Sequence, residues 1–275
     1  MIGAIEFLAA PFIACLVVVA ALGYFGLHVL RREIIFVDLA LAQIAALGTV
    51  VGFIFGHDPG SPGSMGYALA TTVLGAAILS FTRTRDPRVP QEAIIGLTYV
   101  VASAATILVA DRAPEGAEHI KELLAGAVIW VTWPTVVKTL VVCALVGLFH
   151  WIFRRRFTGI SEDPEAVQAS GVSLRLWDFL FYVSFGFVIV VAVDIAGVLM
   201  VFAYLVGPAL VALATTRSWI GAAAVAWTIG GVASALGLGA SYAWDFPAGP
   251  AIVCILGLTL LAFAAWRLLG GRRTA

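Results

Sequence analysis

Charge is what this sequence has least of. Of its 275 residues only 12% are Asp, Glu, Lys or Arg, about half the share of an ordinary soluble domain. Hydrophobic residues reach 62% and mean hydropathy +1.05, more apolar side chain than a soluble core can bury and a natural content for a bilayer. The net charge is zero, so no basic face suggests nucleic acid. Cysteine is scarce as well: Cys15, Cys143 and Cys254 lie far apart in apolar stretches, with neither a CxxC nor a Cys/His cluster, which excludes a disulfide framework or zinc knuckle. There is no Walker A sequence, HExxH or GxSxG, so nothing announces a nucleotide site or a hydrolase. No Lys or Arg precedes Arg31, and Glu6 stands where a signal peptide would be basic; the first apolar run is expected to be a retained membrane helix.

What remains is a series of long apolar runs. A helix crosses a hydrocarbon core of about 30 Å with about 20 residues, and nine segments qualify: 11–30, 35–56, 66–82, 92–110, 133–153, 177–194, 197–215, 220–241 and 249–268. The expected fold is all-α, a polytopic membrane helix bundle of about eight or nine transmembrane helices. Residues 174–216 form one run too long for a single crossing, interrupted by Asp194, Gly197 and Pro208. Splitting it gives nine spans, and eight is the alternative. Under nine spans, 13 of the 16 Lys and Arg residues share one side, leaving Arg112, Lys121 and Lys138 near the other. Cytoplasmic loops carry the excess of basic residues, which puts the C-terminus in the cytoplasm and the N-terminus outside. The outer loops are then about 57–65 and 111–132, and the longest inner loop is 154–173, so 1–275 is expected to form a single membrane domain.

Carboxylates near the bilayer each need a reason, because burying one there is expensive. Asp38 lies in the first turn of the second span and Glu92 opens the fourth. Asp194 sits near the outer end of the sixth, and Asp245 follows the eighth. Helix N-termini favour carboxylates without any ligand, an explanation open to Asp38 and Glu92; Asp194 and Asp245 would make a cation-attracting outer mouth. Gln43 lies five residues beyond Asp38 and can bridge helices or offer a carbonyl oxygen to an ion. His57 and His119 fall in outer loops, whereas His28 and His150 sit near inner span ends, satisfied locally. Residues 221–241 are dense in Gly and Ala, which permits close helix packing.

The inner loop carries its own signal. Asp163 precedes Pro164 as an N-cap precedes Pro at the first helical position, and Gly171 ends the segment as C-cap glycines do. A short capped helix over about 162–172, with Glu165 and Ala166 in its first turn, has reason to exist on the cytoplasmic side if it meets another protein.

Taken together, these blocks resemble the membrane-spanning permeases of bacterial zinc/manganese/iron ABC importers along nearly the whole chain. The matching stretches are GYFGLHVLRREIIFVDLALAQIAALG (23–48), QEAIIGLTYVVASAATIL (91–108) with ELLAGAVIWVT (122–132), DPEAVQASGVSLRLWDFLFY (163–182) with DIAGVLMVFAYLVGPALVALATT (194–216), and GLGASYAWDFPAGPAIV (237–253). Their order and spacing carry the likeness more than any one block does. The resemblance implies a non-enzymatic permease subunit in the bacterial cytoplasmic (inner) membrane. It implies a homodimer driven by separate cytoplasmic ATPase chains and fed by an extracytoplasmic metal-binding protein. No cofactor would be permanently bound; ATP would sit on the partner subunit and a divalent metal ion would be the cargo.

By the same resemblance Asp38 lines the path, Asp245 lies near its outer mouth, Glu92 and Asp194 are weaker metal candidates, and 163–171 (Asp163, Pro164, Glu165, Ala166, Gly171) is the coupling helix. Gln43 stands where the family usually has histidine, which disfavours zinc and leans toward manganese or iron(II). Three rivals compete with this reading. A permease for an organic chelate would run longer, with ten spans. A secondary transporter would leave the coupling helix without a partner, and an intramembrane enzyme would need a nucleophile or metal constellation that is not visible. The topology has a direct test: a fluorescent reporter fused after Ala275 should be bright in the cytoplasm, and an active periplasmic phosphatase at the same place would overturn the nine-span orientation.

Overall fold

The computed structural model describes residues 2–58, 60–83, 88–112 and 126–270. Among them are ten α-helices: α1 (Ile2–Arg31), α2 (Val37–Ile54), α3 (Pro62–Phe81), α4 (Gln91–Ala110), α5 (Trp133–Ile152), α6 (Arg154–Glu162), α7 (Pro164–Ala169), α8 (Leu174–Thr215), α9 (Trp219–Trp244) and α10 (Ala248–Gly270), with a short 3-10 turn at Val128–Trp130. Eight of these helices are long and apolar enough to cross a membrane. His119, Lys121, residues 122–125, Arg85, Arg272 and Arg273 lie outside the described residues.

The 42 residues of α8 would make a rod of about 63 Å at 1.5 Å per residue, twice the hydrocarbon thickness. The rod is broken. Gly197 has φ +70° and ψ 163°, a backbone region open in practice only to glycine. Both ends of α8 return to the C-terminal end of α1. Arg32 Nη1 donates to Asp178 Oδ1 at 3.1 Å near one end, and the Arg31 guanidinium lies 3.7 Å from the ring centre of Trp219, just past the other. The middle of α8 lies at the opposite end of the bundle, where Ala127 N–H donates to the Ile195 carbonyl at 3.1 Å. α8 is therefore two antiparallel limbs, and eight apolar helices make nine passages. Pro208, also expected to interrupt the run, sits inside the second limb without ending it.

That bond at Ile195 has a physical cause. Breaking a helix within apolar surroundings strands carbonyls that no lipid can satisfy. The loop after α4 supplies a donor, and Gly126, itself at φ +70°, lets the backbones touch: a Cβ there would lie 2.3 Å from the carbonyl carbon of Ala196.

α8 is the most buried element. Phe181, Phe185, Ile189 and Tyr204 are fully enclosed among α1, α3, α9 and α10. Across the tight α2–α3 contact, Thr71 Oγ1 donates to the Ile44 carbonyl at 2.9 Å, the kind of interhelical bond that supports association where the surroundings are as apolar as the side chains. Of the cysteines read as small buried hydrophobes, Cys15 is buried, Cys143 half-buried and Cys254 exposed on the bundle exterior.

The inner loop departs from expectation. Residues 154–162 are not loop but helix α6, and the helix expected over about 162–172 is shorter, Pro164–Ala169. Asp163 divides them, leaving helical geometry at φ −147° while its carboxylate caps Ala166 N–H at 2.9 Å. Gly171 follows with φ +84° and donates to the Gln168 carbonyl at 2.9 Å.

Replacing Gly197 by Ala should lower stability by about 1–3 kcal/mol, with Gly126→Ala comparable. Because the two share one contact, the double variant should cost less than the sum. Detergent thermal melts in which either single variant equals wild type would remove this junction from the fold's requirements.

Candidate functional site

Two polar clusters occupy the end of the bundle where α1 finishes. The first is built around Arg32, whose side chain is only 7% exposed. Its Nη1 donates to Asp178, its Nε to Ser161 Oγ at 2.8 Å and its Nη2 to the Phe157 carbonyl at 3.4 Å. Its guanidinium lies 4.0 Å from the ring centre of Phe181. Arg83, from the connection after α3, donates to the other Asp178 oxygen. Burial pulls the Arg32 guanidinium below its ordinary pKa, and the Asp178 carboxylate works against that shift.

Ser161 Oγ also lies 2.8 Å from His28 Nδ1. Beside it, Glu162 Oε1 accepts from Trp219 Nε1 at 2.6 Å and pairs with Arg31 at 3.5 Å. His150 stacks flat on Phe157, ring centres 4.0 Å apart. Helix α6 is thus fastened to α1, α5, α8 and α9, and it runs into α7 through Asp163 alone.

The second cluster holds Asp38 and Glu92. Glu92 Oε1 accepts Phe36 N–H at 2.9 Å, so a carboxylate from α4 serves the start of α2, whose own N-cap residue makes no side-chain bond. Asp38 is 1% exposed. Its polar company is the N–H groups of Asp38 and Leu39 in its own first turn, and the Glu92 carboxylate. Neither Asp38 oxygen, nor Glu92 Oε2, reaches a hydrogen bond of ordinary geometry among the described residues.

The remaining expected ligands are elsewhere. Gln43 is half-buried, about 140° around α2 from Asp38. Asp194 is exposed at the opposite end, with Oδ2 4.0 Å from Lys138 Nζ; beside it a cavity of about 70 Å³ is lined by Thr49, Ser64, Lys138 and Asp194. Asp245 is exposed at the C-cap of α9, at φ +55°. The five candidates therefore split between the two ends of the bundle, and among the described residues no three of His, Cys, Asp and Glu gather into a metal-holding group. His150 is satisfied on both nitrogens, by Tyr24 and Ser184. His28 keeps Nε2 without a partner among the described residues. Asp163, Pro164, Glu165, Ala166 and Gly171 gather on α7 and its flanks, with Glu165 and Ala166 exposed.

Sequence reading misses the Arg32–Asp178–Arg83 cluster. Its signal was present: Asp178 stands inside the expected span 177–194, a fifth carboxylate in an apolar run.

Residues 4–267 match the family described as the ABC 3 transport family. The chain belongs to that family. It is 24% identical over 266 residues to the manganese transport system membrane protein MntC of Listeria monocytogenes, covering 95% of this chain and 90% of that protein. To an uncharacterized membrane protein of Cyanophora paradoxa it is 23% identical, covering 92% and 83%. In fold it is similar to a chain of PsaBC from Streptococcus pneumoniae, solved in complex with Fab, with a TM-score of 0.79, 24% identity and coverage of 95% and 93%.

Removing Asp178 strands a buried guanidinium, a loss of about 3–5 kcal/mol. Asp178→Ala should therefore melt well below wild type, and Arg32→Met/Asp178→Leu, which removes both charges, should recover part of the loss. A melt of Asp178→Ala equal to wild type would show that the pair holds nothing.

Proposed function

We infer that this chain is the permease subunit of an ABC transporter that imports a divalent metal ion. Residues 1–275 would form one permease domain, two copies pair, and separate cytoplasmic ATPase chains hold and hydrolyse the ATP. An extracytoplasmic metal-binding protein would deliver the ion. Family membership and the manganese assignment of the Listeria relative support the class of cargo. The observation that carries the reading for this chain is Asp38: a carboxylate enclosed in a membrane helix, unsatisfied, beside a second carboxylate with a free oxygen. A passing cation supplies what such a pair lacks, and weak oxygen ligation lets the ion leave again. Oxygen donors at Asp38 and Glu92 suit manganese or iron(II) better than zinc, and Gln43, where the resemblance leads one to expect histidine, supplies no imidazole nitrogen.

The end bearing Arg31, Arg32, Arg83, Arg154, Arg155, Arg156, Arg175, Arg217 and Arg267 faces the cytoplasm, so the C-terminus is cytoplasmic. Asp194 and Asp245 then stand at the outer mouth. α7, presenting Asp163, Pro164, Glu165, Ala166 and Gly171, meets the ATPase. A push on α7 passes directly to α6, and the Ser161 contacts with Arg32 and His28 carry it to the end of α1. Arg32 is six residues from Asp38, with a turn through Glu33 at φ +56° between them. Movement of the coupling helix therefore reaches the carboxylate pair along a short path, and this is how access to the site alternates.

The test is the elemental content of metal-limited cells lacking the gene, complemented with wild type or Asp38→Ala. Wild type should restore one metal selectively, and Asp38→Ala should lower its uptake about tenfold, equivalent to about 1.4 kcal/mol, at equal expression. Full uptake by Asp38→Ala would remove Asp38 from the path; no metal deficit on deletion, with redundant importers silenced, would overturn metal import.

A further inference from the structure

A large groove lies on the outside of the bundle, and its lining includes none of Asp38, Glu92, Asp194 and Asp245. Helices α5 and α9 both pack against α1. Between them they leave a groove of about 700 Å³ floored by α1 from Ile13 to Leu27, about 21 Å along the helix axis. Small residues open it, among them Ala20, Ala144 and Gly147, and Trp227 stands at its side. A Cβ on Gly147 would meet nothing within 4 Å, so this is open space and not a close helix contact.

The groove's chemistry is uneven. Its length is almost wholly apolar, and the polar groups on its floor are already engaged: Tyr24 with His150, and His150 with Ser184. Its one charged lining group stands at the basic end, where Arg154 lies with its guanidinium 5.3 Å from the ring centre of Trp151. No carboxylate among the described residues pairs with Arg154; the neighbouring Glu162 is held by Arg31 and Trp219. Trp151 and Trp219 flank this end, the aromatic level at which headgroups meet hydrocarbon.

An apolar slot the length of an extended acyl chain, closed at its interfacial end by an unpaired arginine, fits one occupant. We propose that it is a specific site for an anionic glycerophospholipid, with one acyl chain along α1 and the phosphate at Arg154. Basic pockets between membrane helices recognise anionic headgroups in this way. The site holds α5 and α6 against α1 from the lipid side. It goes beyond the transport reading and does not rest on it.

Native mass spectrometry of the purified chain with dioleoyl-phosphatidylglycerol or dioleoyl-phosphatidylcholine tests the site, using wild type, Arg154→Gln and Gly147→Leu. Wild type should retain one phosphatidylglycerol per chain with a preference over phosphatidylcholine of about fivefold, the worth of one interfacial basic residue. Arg154→Gln should erase the preference while keeping acyl binding, and Gly147→Leu should lower retention of both lipids. Equal retention of the two lipids by wild type would overturn the proposal. So would unchanged retention in both variants, or Ala144→Cys cross-linking efficiently between copies in native membranes, which would make the occupant a second copy of this chain.

Discussion

A guanidinium withdrawn from water needs several partners at once, and Arg32 finds them on two elements. Asp178 comes from the first limb of α8, and Ser161 and the Phe157 carbonyl come from α6. Arg83 then shares Asp178 and draws in the connection after α3. A buried ion pair adds little net stability over well-packed apolar side chains, yet it is costly to leave half made. What it fixes is geometry. The short helix outside the membrane region cannot shift against α1 and α8 without exposing or orphaning a charge, so α6 behaves as an extension of the bundle and not as a tethered loop.

The two ends of the bundle divide the polar chemistry. Asp38 and Glu92 lie at the end where α6 is fastened, one of them serving as the cap of a neighbouring helix and the other unsatisfied. Asp194 and Asp245 lie at the far end, where Asp194 faces Lys138 and backbone contacts between Gly126 and Ala196 close the hinge of α8. α2 lines the distance between them with small and apolar residues. A chain so poor in charge concentrates what it has at the two ends of the bundle.

Much of this was legible in the sequence, for reasons that can be named. Long apolar runs leave a membrane helix no competitor, and the run over 174–216 was too long to be one passage, so its break at Gly197 followed from bilayer thickness. The Asp163–Pro164 pair announced a helix start because both residues act locally. Helix α6 was hard to read: RRRFTGISE is short and basic, its only apolar pair is Phe157 and Ile160, and it is held as a helix because Phe157 and Ser161 find His150, His28 and Arg32 from distant parts of the chain. The Arg32–Asp178–Arg83 cluster was hidden for the same reason. Its members are 146 and 95 residues apart in pairs, and nothing local marks one arginine of a basic turn as the buried one.

The single-residue hinge at Gly197 bears on how the chain enters its membrane. Between the two limbs of α8 there is no hydrophilic loop, and Asp194 is the only charged residue in the sequence between Asp178 and Arg217. Arg175 and Arg217 bracket the pair from one side. A segment built this way is suited to enter the membrane as one helical hairpin, with the two arginines at the feet of its limbs and the glycine junction at its tip.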